Sequence, residues 1–293
     1  MFLTNLVNVE EHLNRIDTLI RRGEPNLIGH EIKTICNYIT LITGKHKSIY
    51  PNTAAQLQEI KDKLNRLKGT LVEQLKINFP LVKKEFEEIY TLTPVYLMRH
   101  PEKTSEKTRN LSFQGVRQAK GVAEYLAEEC LLCPKSVHVY LFCSDVRRTY
   151  LFANIIQRKM KQLTDFYDKK IRIEPIVEHP ALYFRYTKEA LGEISDDYNK
   201  SEYLAFANWI KGKYKFSPTP KKVTEEVAAW VRNGRSKDSA GEWTIVIGIS
   251  HSFIIDALLL SVTRDHKKII STAGFAQFIG NKMFYDDKWY NFS

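Results

Sequence analysis

The sequence predicts an α/β protein: a mostly parallel sheet with helices on both faces, preceded by an N-terminal α-helical region. Three observations carry this expectation. Residues 1 to about 90 place apolar side chains at helical spacing and contain no strand-like run. From Pro94 onward, short apolar runs alternate with amphipathic stretches, the pattern of parallel strands joined by crossover helices. The stretch "WTIVIGI" at 243–249 is almost continuously apolar, as a strand covered on both faces requires.

In the N-terminal region, Leu3, Leu6, Leu13, Ile16 and Ile20 form one seam, and Ile28, Ile32, Ile35, Ile39 and Ile42 a second. Leu57, Ile60, Leu64, Leu67, Leu71 and Leu75 form a third, opened after Pro51 by Thr53 and Gln56 in capping-box spacing. The segments "RRGEPN" and "GKHKSIYPN" separate them. A helical hairpin or three-helix domain over residues 1–90 is expected, with residues 91–293 as the α/β domain. Seams this short favour closure within the chain; the other use they offer is a coiled-coil-like homo-oligomer contact.

In the second part, Val95 to Met98 reads as a strand, Ser112 to Glu129 as a helix and Val137 to Phe142 as a strand. Then follow a helix over Val146 to Lys161, a short strand at Ile171 to Ile173, and a less regular stretch. Val223 to Val231 reads as helix, 243–249 as the buried strand, and Ile254 to Val262 as helix. The terminal "FAQFIGNKMFYDDKWYNF" reads as strands joined by turns at Gly280-Asn281 and Asp286-Asp287.

Composition narrows the functional classes. With 293 residues, 43% of them hydrophobic, the chain can bury a full core. Apolar runs such as Ala257 to Leu260 fall far short of the roughly 18 residues of a spanning helix. Glu10, Glu11, Arg15 and Asp17 interrupt the first segment, unlike a secretory leader. A cytoplasmic location without a membrane partner is the expectation. Cys36, Cys130, Cys133 and Cys143 are too scattered for a disulfide framework, and the lone "CLLC" at 130–133 has no second pair to complete a zinc site. The net charge of +10 is spread as +2 over residues 1–93, +4 over 94–200 and +4 over 201–293. That distribution steers anions without a basic tract for nucleic acid.

In sheets of this class, ligands lie beyond the carboxyl ends of the strands. Three strand ends deliver related chemistry there: Arg99 and His100 in "VYLMRHPE", Arg147 and Arg148 in "CSDVRR", and His251 in "SHS". A guanidinium fork suits a phosphate oxyanion. One imidazole nitrogen can attack phosphorus while a second imidazole donates to a non-bridging oxygen. Taken singly, each is an ordinary loop, helix-start or capping residue; their agreement points to a phosphate pocket with a histidine nucleophile.

These stretches resemble the histidine phosphatase superfamily, the phosphoglycerate mutase-like fold and its smaller branch, over about residues 94 to 293. "VYLMRHPE" is similar to the strand and R-H-G-E motif, and "LSFQGVRQAKGVAEYL" to L-T-x-x-G-x-x-Q-A, with Gly115, Gln118 and Ala119 in register. "CSDVRRTYLFA" resembles S-x-L-x-R-A-x-x-T-A, which aligns Ser144 and Arg148. "GISHSFIIDALL" resembles V-S-H-G-x-x-I-x-x-L-L, which aligns His251. The resemblance implies a phosphatase that hydrolyses phosphate monoesters or a phosphoprotein through phosphohistidine on His100. It implies that Arg99, Arg148 and His251 hold the phosphate, and that Glu178 protonates the leaving oxygen, with Glu174 and Glu102 as rivals. No metal and no cofactor are implied. A phosphoglycerate mutase-type phosphotransferase and a catalytically silent phosphate-binding scaffold are the alternatives. Departures are Pro101 for glycine, Ser252 for glycine and Phe152 for threonine. Only Pro101 to Asn110 separate the nucleophile from the helix motif, an opening short enough for an uncovered phosphatase site. Tyr183, Phe184, Arg185, Tyr186 and "KGKYKF" at 211–216 are candidates to line it.

Overall fold

The computed structural model describes the chain except residues 1, 23, 47–50, 69–71, 89–92, 105–109, 133–135, 168–169, 185–187, 238–241, 266–268, 287 and 293. Two compact units are present: residues 1–92 with 128–136, and residues 93–127 with 137–293.

The first unit is built on four helices: α1 (Phe2–Arg22), α2 (Pro25–His46), α3 (Pro51–Leu67) and α4 (Val72–Glu88). Its core is the seams themselves: Leu13, Ile16 and Ile20 of α1, Ile28, Ile32, Ile35 and Ile39 of α2, and Leu57, Ile60, Leu64 and Leu67 of α3 are buried. Neighbouring helices pack in chain order and α4 returns to α1. The seams therefore close on one another. The expected third helix is two, because α3 ends at Leu67 and α4 opens at Val72. Leu75, Phe79 and Val82 of α4 are buried like the earlier seams. Cys36, Cys130 and Cys143 are buried and form no disulfide among the described residues; Cys133 lies outside those residues.

The second unit is an α/β sheet. Among the described residues it has eight strands: β1 (Val95–Arg99), β2 (Val137–Cys143), β3 (Ile171–Ile173), β4 (Val177–Glu178), β5 (Trp243–Ser250), β6 (Phe275–Ile279), β7 (Lys282–Tyr285) and β8 (Lys288–Asn291). Their order is β3-β2-β5-β1-β6-β7-β8, with β4 also paired to β2. Strands β1 to β5 pair in parallel, and β6 to β8 continue the sheet antiparallel. The turn between β6 and β7 passes through Gly280 at φ 51°, and Asp286 after β7 has φ 52°, left-handed positions that glycine and aspartate tolerate best.

The helices are α5 (Phe113–Leu132), α6 (Arg147–Tyr167), α7 (Lys188–Lys200), α8 (Glu202–Ile210), α9 (Pro220–Arg235) and α10 (Ser252–Thr263), with a 3₁₀ turn at Pro180–Leu182. Helix α6 packs on β2, β3 and β5, while α9 and α10 pack on β1 and on each other. Strand β5 is buried along its whole length, which explains its almost continuously apolar sequence. Its glycine is required by packing: a Cβ on Gly248 would lie 2.2 Å from the Trp230 ring of α9. The irregular stretch of the sequence reading contains α7 and α8. Both are ordinary amphipathic helices whose apolar residues Ala190, Ile194, Ala205, Phe206 and Trp209 are buried. No helix among the described residues is long and apolar enough to cross a membrane.

Candidate active site

Sheet register brings the sequence motifs to one edge. Met98 of β1, Ile249 of β5 and Cys143 of β2 lie level with one another. The residues that follow are therefore delivered side by side at the carboxyl ends: His100 after β1, Ser144 after β2 and His251 after β5. The backbone ties the ends together, because His100 N–H donates to Ser250 O at 3.0 Å and Ser144 N–H to Ile249 O at 3.1 Å.

His100 is buried, and its Nδ1 lies 2.7 Å from the Pro101 carbonyl oxygen. A carbonyl only accepts, so Nδ1 carries the hydrogen and the neutral ring holds its lone pair on Nε2. Burial above all, and then the charge of Arg148, outweigh that hydrogen bond and lower the His100 pKa from 6.5 to about 3. The ring is thus neutral at pH 7, as a nucleophile must be. Residue 101 contributes its carbonyl, which proline retains.

His251 caps α10 without a side-chain capping bond and stands with its ring 5.1 Å from that of His100, edge to face. Its Nδ1 lies 3.3 Å from a guanidinium nitrogen of Arg148 and its Nε2 2.9 Å from Ser144 Oγ. Arginine only donates, so Nδ1 accepts and Nε2–H donates to Ser144. Ser144 in turn meets the Thr149 hydroxyl at 2.9 Å. Burial, followed by the neighbouring His100 and Arg148, holds His251 well below its ordinary pKa. Arg148 and Thr149 come from the first turn of α6, Arg148 turned to the site and Arg147 left exposed, so the second of the two arginines is the one delivered.

A cavity of about 340 Å³ opens over these groups. His100, Arg148 and His251 line it, joined by Lys103, Tyr198 and Glu202; Tyr183, Phe184 and Phe253 also reach it. Arg185 and Tyr186 lie outside the described residues, and the segment 211–216 contributes nothing to this cavity.

Two expected members stand apart from it. Arg99 does not line the cavity. Its guanidinium donates to Ile270 O at 2.7 Å and to both carboxylate oxygens of Glu202 at 2.9 Å. Glu178 also lies outside the lining; it is exposed at the end of β4, level with Cys143. There its charge, second to burial, helps push the Cys143 thiol up to about 11. The two rivals of Glu178 are otherwise engaged: Glu174 meets His138 Nε2 at 2.6 Å, and Glu102 accepts from Ser112 Oγ at 3.2 Å. His138 is the second residue of β2, so Glu174 sits at the opposite end of that strand from His100.

Sequence reasoning overlooked Glu202, Lys103 and Tyr198. Lys103 stands three positions after His100. Glu202 follows Ser201, whose hydroxyl caps α8, and a serine before an acidic first turn is a helix-start signal in the stretch read as irregular. The two departures at 252 and 152 have local uses: Ser252 Oγ donates to Glu202, and Phe152 is fully buried.

No protein-family model matches the chain, and no curated protein matches it. Solved structures do. A phosphoglycerate mutase from Bacillus anthracis matches with 13% identity over 71% of this chain and 94% of its own, at a TM-score of 0.43. A phosphoserine phosphatase from Entamoeba histolytica matches with 15% identity over 64% and 90%, at 0.40. A mycobacterial glucosyl-3-phosphoglycerate phosphatase matches with 17% identity over 63% and 89%, at 0.39. These three structures are one mutase and two phosphatases.

Proposed function

We propose that this protein is a metal-independent phosphatase that hydrolyses phosphate monoesters through a phosphohistidine on His100. The observation that carries the reading is the state of His100: neutral, its Nδ1 hydrogen committed to Pro101 O, its Nε2 lone pair available in a cavity shared with Arg148 and His251. Nε2 attacks phosphorus, the ester P–O bond breaks with its electrons on the leaving oxygen, and that oxygen takes a proton. Water then attacks the phosphohistidine, the P–N bond breaks, and inorganic phosphate and neutral imidazole are regenerated. Arg148 offers fixed positive charge to the non-bridging oxygens as it turns from His251 Nδ1 to phosphate. Glu178 donates the proton to the leaving oxygen and then takes one from water. Of the three carboxylates that sequence reasoning weighed, it alone is at the carboxyl edge of the sheet without a hydrogen-bond or ion-pair partner among the described residues.

Hydrolysis of an aryl and an alkyl phosphate in chelator tests the reading. Wild type is expected to release phosphate from both and His100→Ala from neither. Glu178→Gln is expected to lose about 10²- to 10⁴-fold on the alkyl ester, whose leaving group needs a proton, and far less on the aryl ester. Wild-type turnover by His100→Ala would end the reading, and equal losses on both esters would remove Glu178 from it.

A further inference from the structure

In-line displacement at phosphorus sends the leaving group to the side away from His100 Nε2, so what it meets is the remainder of the cavity. Two side chains of that remainder adjoin the phosphate end. The Tyr183 ring stands 6.3 Å from that of His251, edge to face. The Tyr198 ring centre lies 5.6 Å from the ammonium of Lys103, whose charge is felt at both histidines. Apolar side chains continue the wall from there. Phe253 pairs edge to face with Phe184 at 5.8 Å and, tilted, with Tyr198 at 6.4 Å. Phe184 and Phe253 are each 2% exposed, so they present fixed faces. Helix α7 adds Ile194, one turn before Tyr198 on the same side of the helix. Its next pair, Ser195 and Asn199, also lines the cavity but is exposed; the polar side chains of this helix are thus at the mouth and the apolar ones deeper. Glu202, which lines the cavity too, has both carboxylate oxygens bonded by Arg99 and one also by Ser252, so its acceptors are directed at Arg99, outside the lining. A cavity of roughly 150 Å³ holds a benzene ring; the cavity of about 340 Å³ therefore has room for one ring beside a phosphoryl group.

We propose that the leaving group this site selects is a flat apolar one, an aromatic ring joined to the ester oxygen directly or through one methylene, and that Tyr183, Ile194, Tyr198 and Phe253 bind it. The assignment rests on the phosphatase reading above and narrows the monoesters to which it applies. A polyol or a second anionic group brought to the same wall would give up water for apolar contact. A ring gives up nothing polar and gains faces and edges to pack against.

Analogues that cannot be hydrolysed separate recognition from turnover. Binding of benzylphosphonate, methylphosphonate and 2-hydroxyethylphosphonate to the full chain is measured by calorimetry at neutral pH. Benzylphosphonate is expected to bind about ten- to a hundredfold more tightly than either of the others, the gain from burying one ring. Tyr198→Ala is expected to shrink that preference about three- to tenfold, and Tyr198→Phe, which keeps the ring, to retain it. Phe216→Ala removes an exposed ring that does not line the cavity and is expected to show the wild-type preference. Equal affinity for the three phosphonates, tighter binding of 2-hydroxyethylphosphonate, or no binding of any of them overturns the proposal. So does a preference that Tyr198→Ala leaves unchanged. Should Tyr198→Ala fail to fold, the wild-type ranking still decides. A chain that shows the ranking but hydrolyses no benzyl phosphate overturns the phosphatase reading and leaves a site that binds aryl phosphates. One that hydrolyses glycerol phosphate as fast as benzyl phosphate and binds the three phosphonates alike overturns this assignment alone.

Discussion

Proline at 101, next to His100, has no N–H to give. In the structure the group that matters there is the carbonyl, which accepts from His100 Nδ1. Pro101→Gly is therefore expected to leave kcat within about tenfold of wild type and to destabilise the fold by about 0.4–1 kcal/mol through the freer unfolded chain. Steady-state kinetics beside thermal unfolding check it; a gain in rate would mean that a glycine amide had been missing. Asp256, buried in α10 and accepting from Ile270 N–H at 2.8 Å, behaves oppositely to the histidines. Burial raises its pKa from 3.8 to about 8. A carboxyl raised in this way is protonated in the fold while the unfolded chain has already released its proton. Its contribution to stability is complete below pH 3.8 and is lost as pH climbs through about 8, an effect on the order of a few kcal/mol. Asp256→Asn keeps the acceptor oxygen and removes the titration. Its thermal midpoint should gain on wild type from pH 5 to about 8 and then hold a constant lead; a pH-independent difference would refute the assignment.

At the scale of elements, the site depends on how α5 meets the segment after β1. A Cβ on Gly115 would lie 2.0 Å from the Glu102 carbonyl oxygen, an oxygen that also accepts from Ser112 N–H at 3.0 Å. Gly115→Ala must push back the segment that carries Pro101 and Lys103. It is expected to cost about 1–3 kcal/mol, a drop of several degrees in the midpoint, with a loss of kcat that Ala substitutions at exposed helix positions do not show. Unchanged stability would mean that α5 slides freely against residue 102. The strand ends and α5, α6, α9 and α10 were legible because each announces itself within a few residues, through alternation, a run of apolar side chains or a helical seam. Helices α7 and α8 were not. The apolar positions of α7 are diluted by Asp196, Asp197, Asn199 and Lys200, α8 is only nine residues long, and their inner faces show in the packing of Tyr198 of α7 and of Phe206 and Trp209 of α8 against Phe253 of α10.

The whole molecule carries a net charge of +10, and the groups lining the cavity include Lys103 and Arg148. Such a field raises the encounter rate of anions without changing the chemical step. For a phosphate monoester, kcat/KM is expected to fall as salt rises from about 0.01 to 0.15 M, while the screening length shortens from about 30 to 8 Å, and kcat is expected to stay level. Rates measured at saturating and at low substrate across that range check this, and a salt-independent kcat/KM would show that steering is absent. Each of the two units contains buried apolar residues. The one feature of that division which no composition shift marked is residues 128–136, which group with the N-terminal helices although they follow the middle of α5.

The sequence by itself determined the elements and the chemistry at the strand ends. Side-chain period reports which faces are buried, and a strand's carboxyl end is a place that parallel topology makes common to several strands. That much required no distances. What only the tertiary structure decided is which charges meet. Arg99 and Glu202 are 103 positions apart, on a strand end and a helix start, and nothing local distinguishes an arginine held by a carboxylate from one open to a phosphate. Electrostatic pairing depends on separations of a few ångströms, which sequence spacing does not encode across unrelated elements. The strand-end motifs meet at one edge of the sheet, and the fold places Lys103 and Glu202 among the groups that line the cavity there.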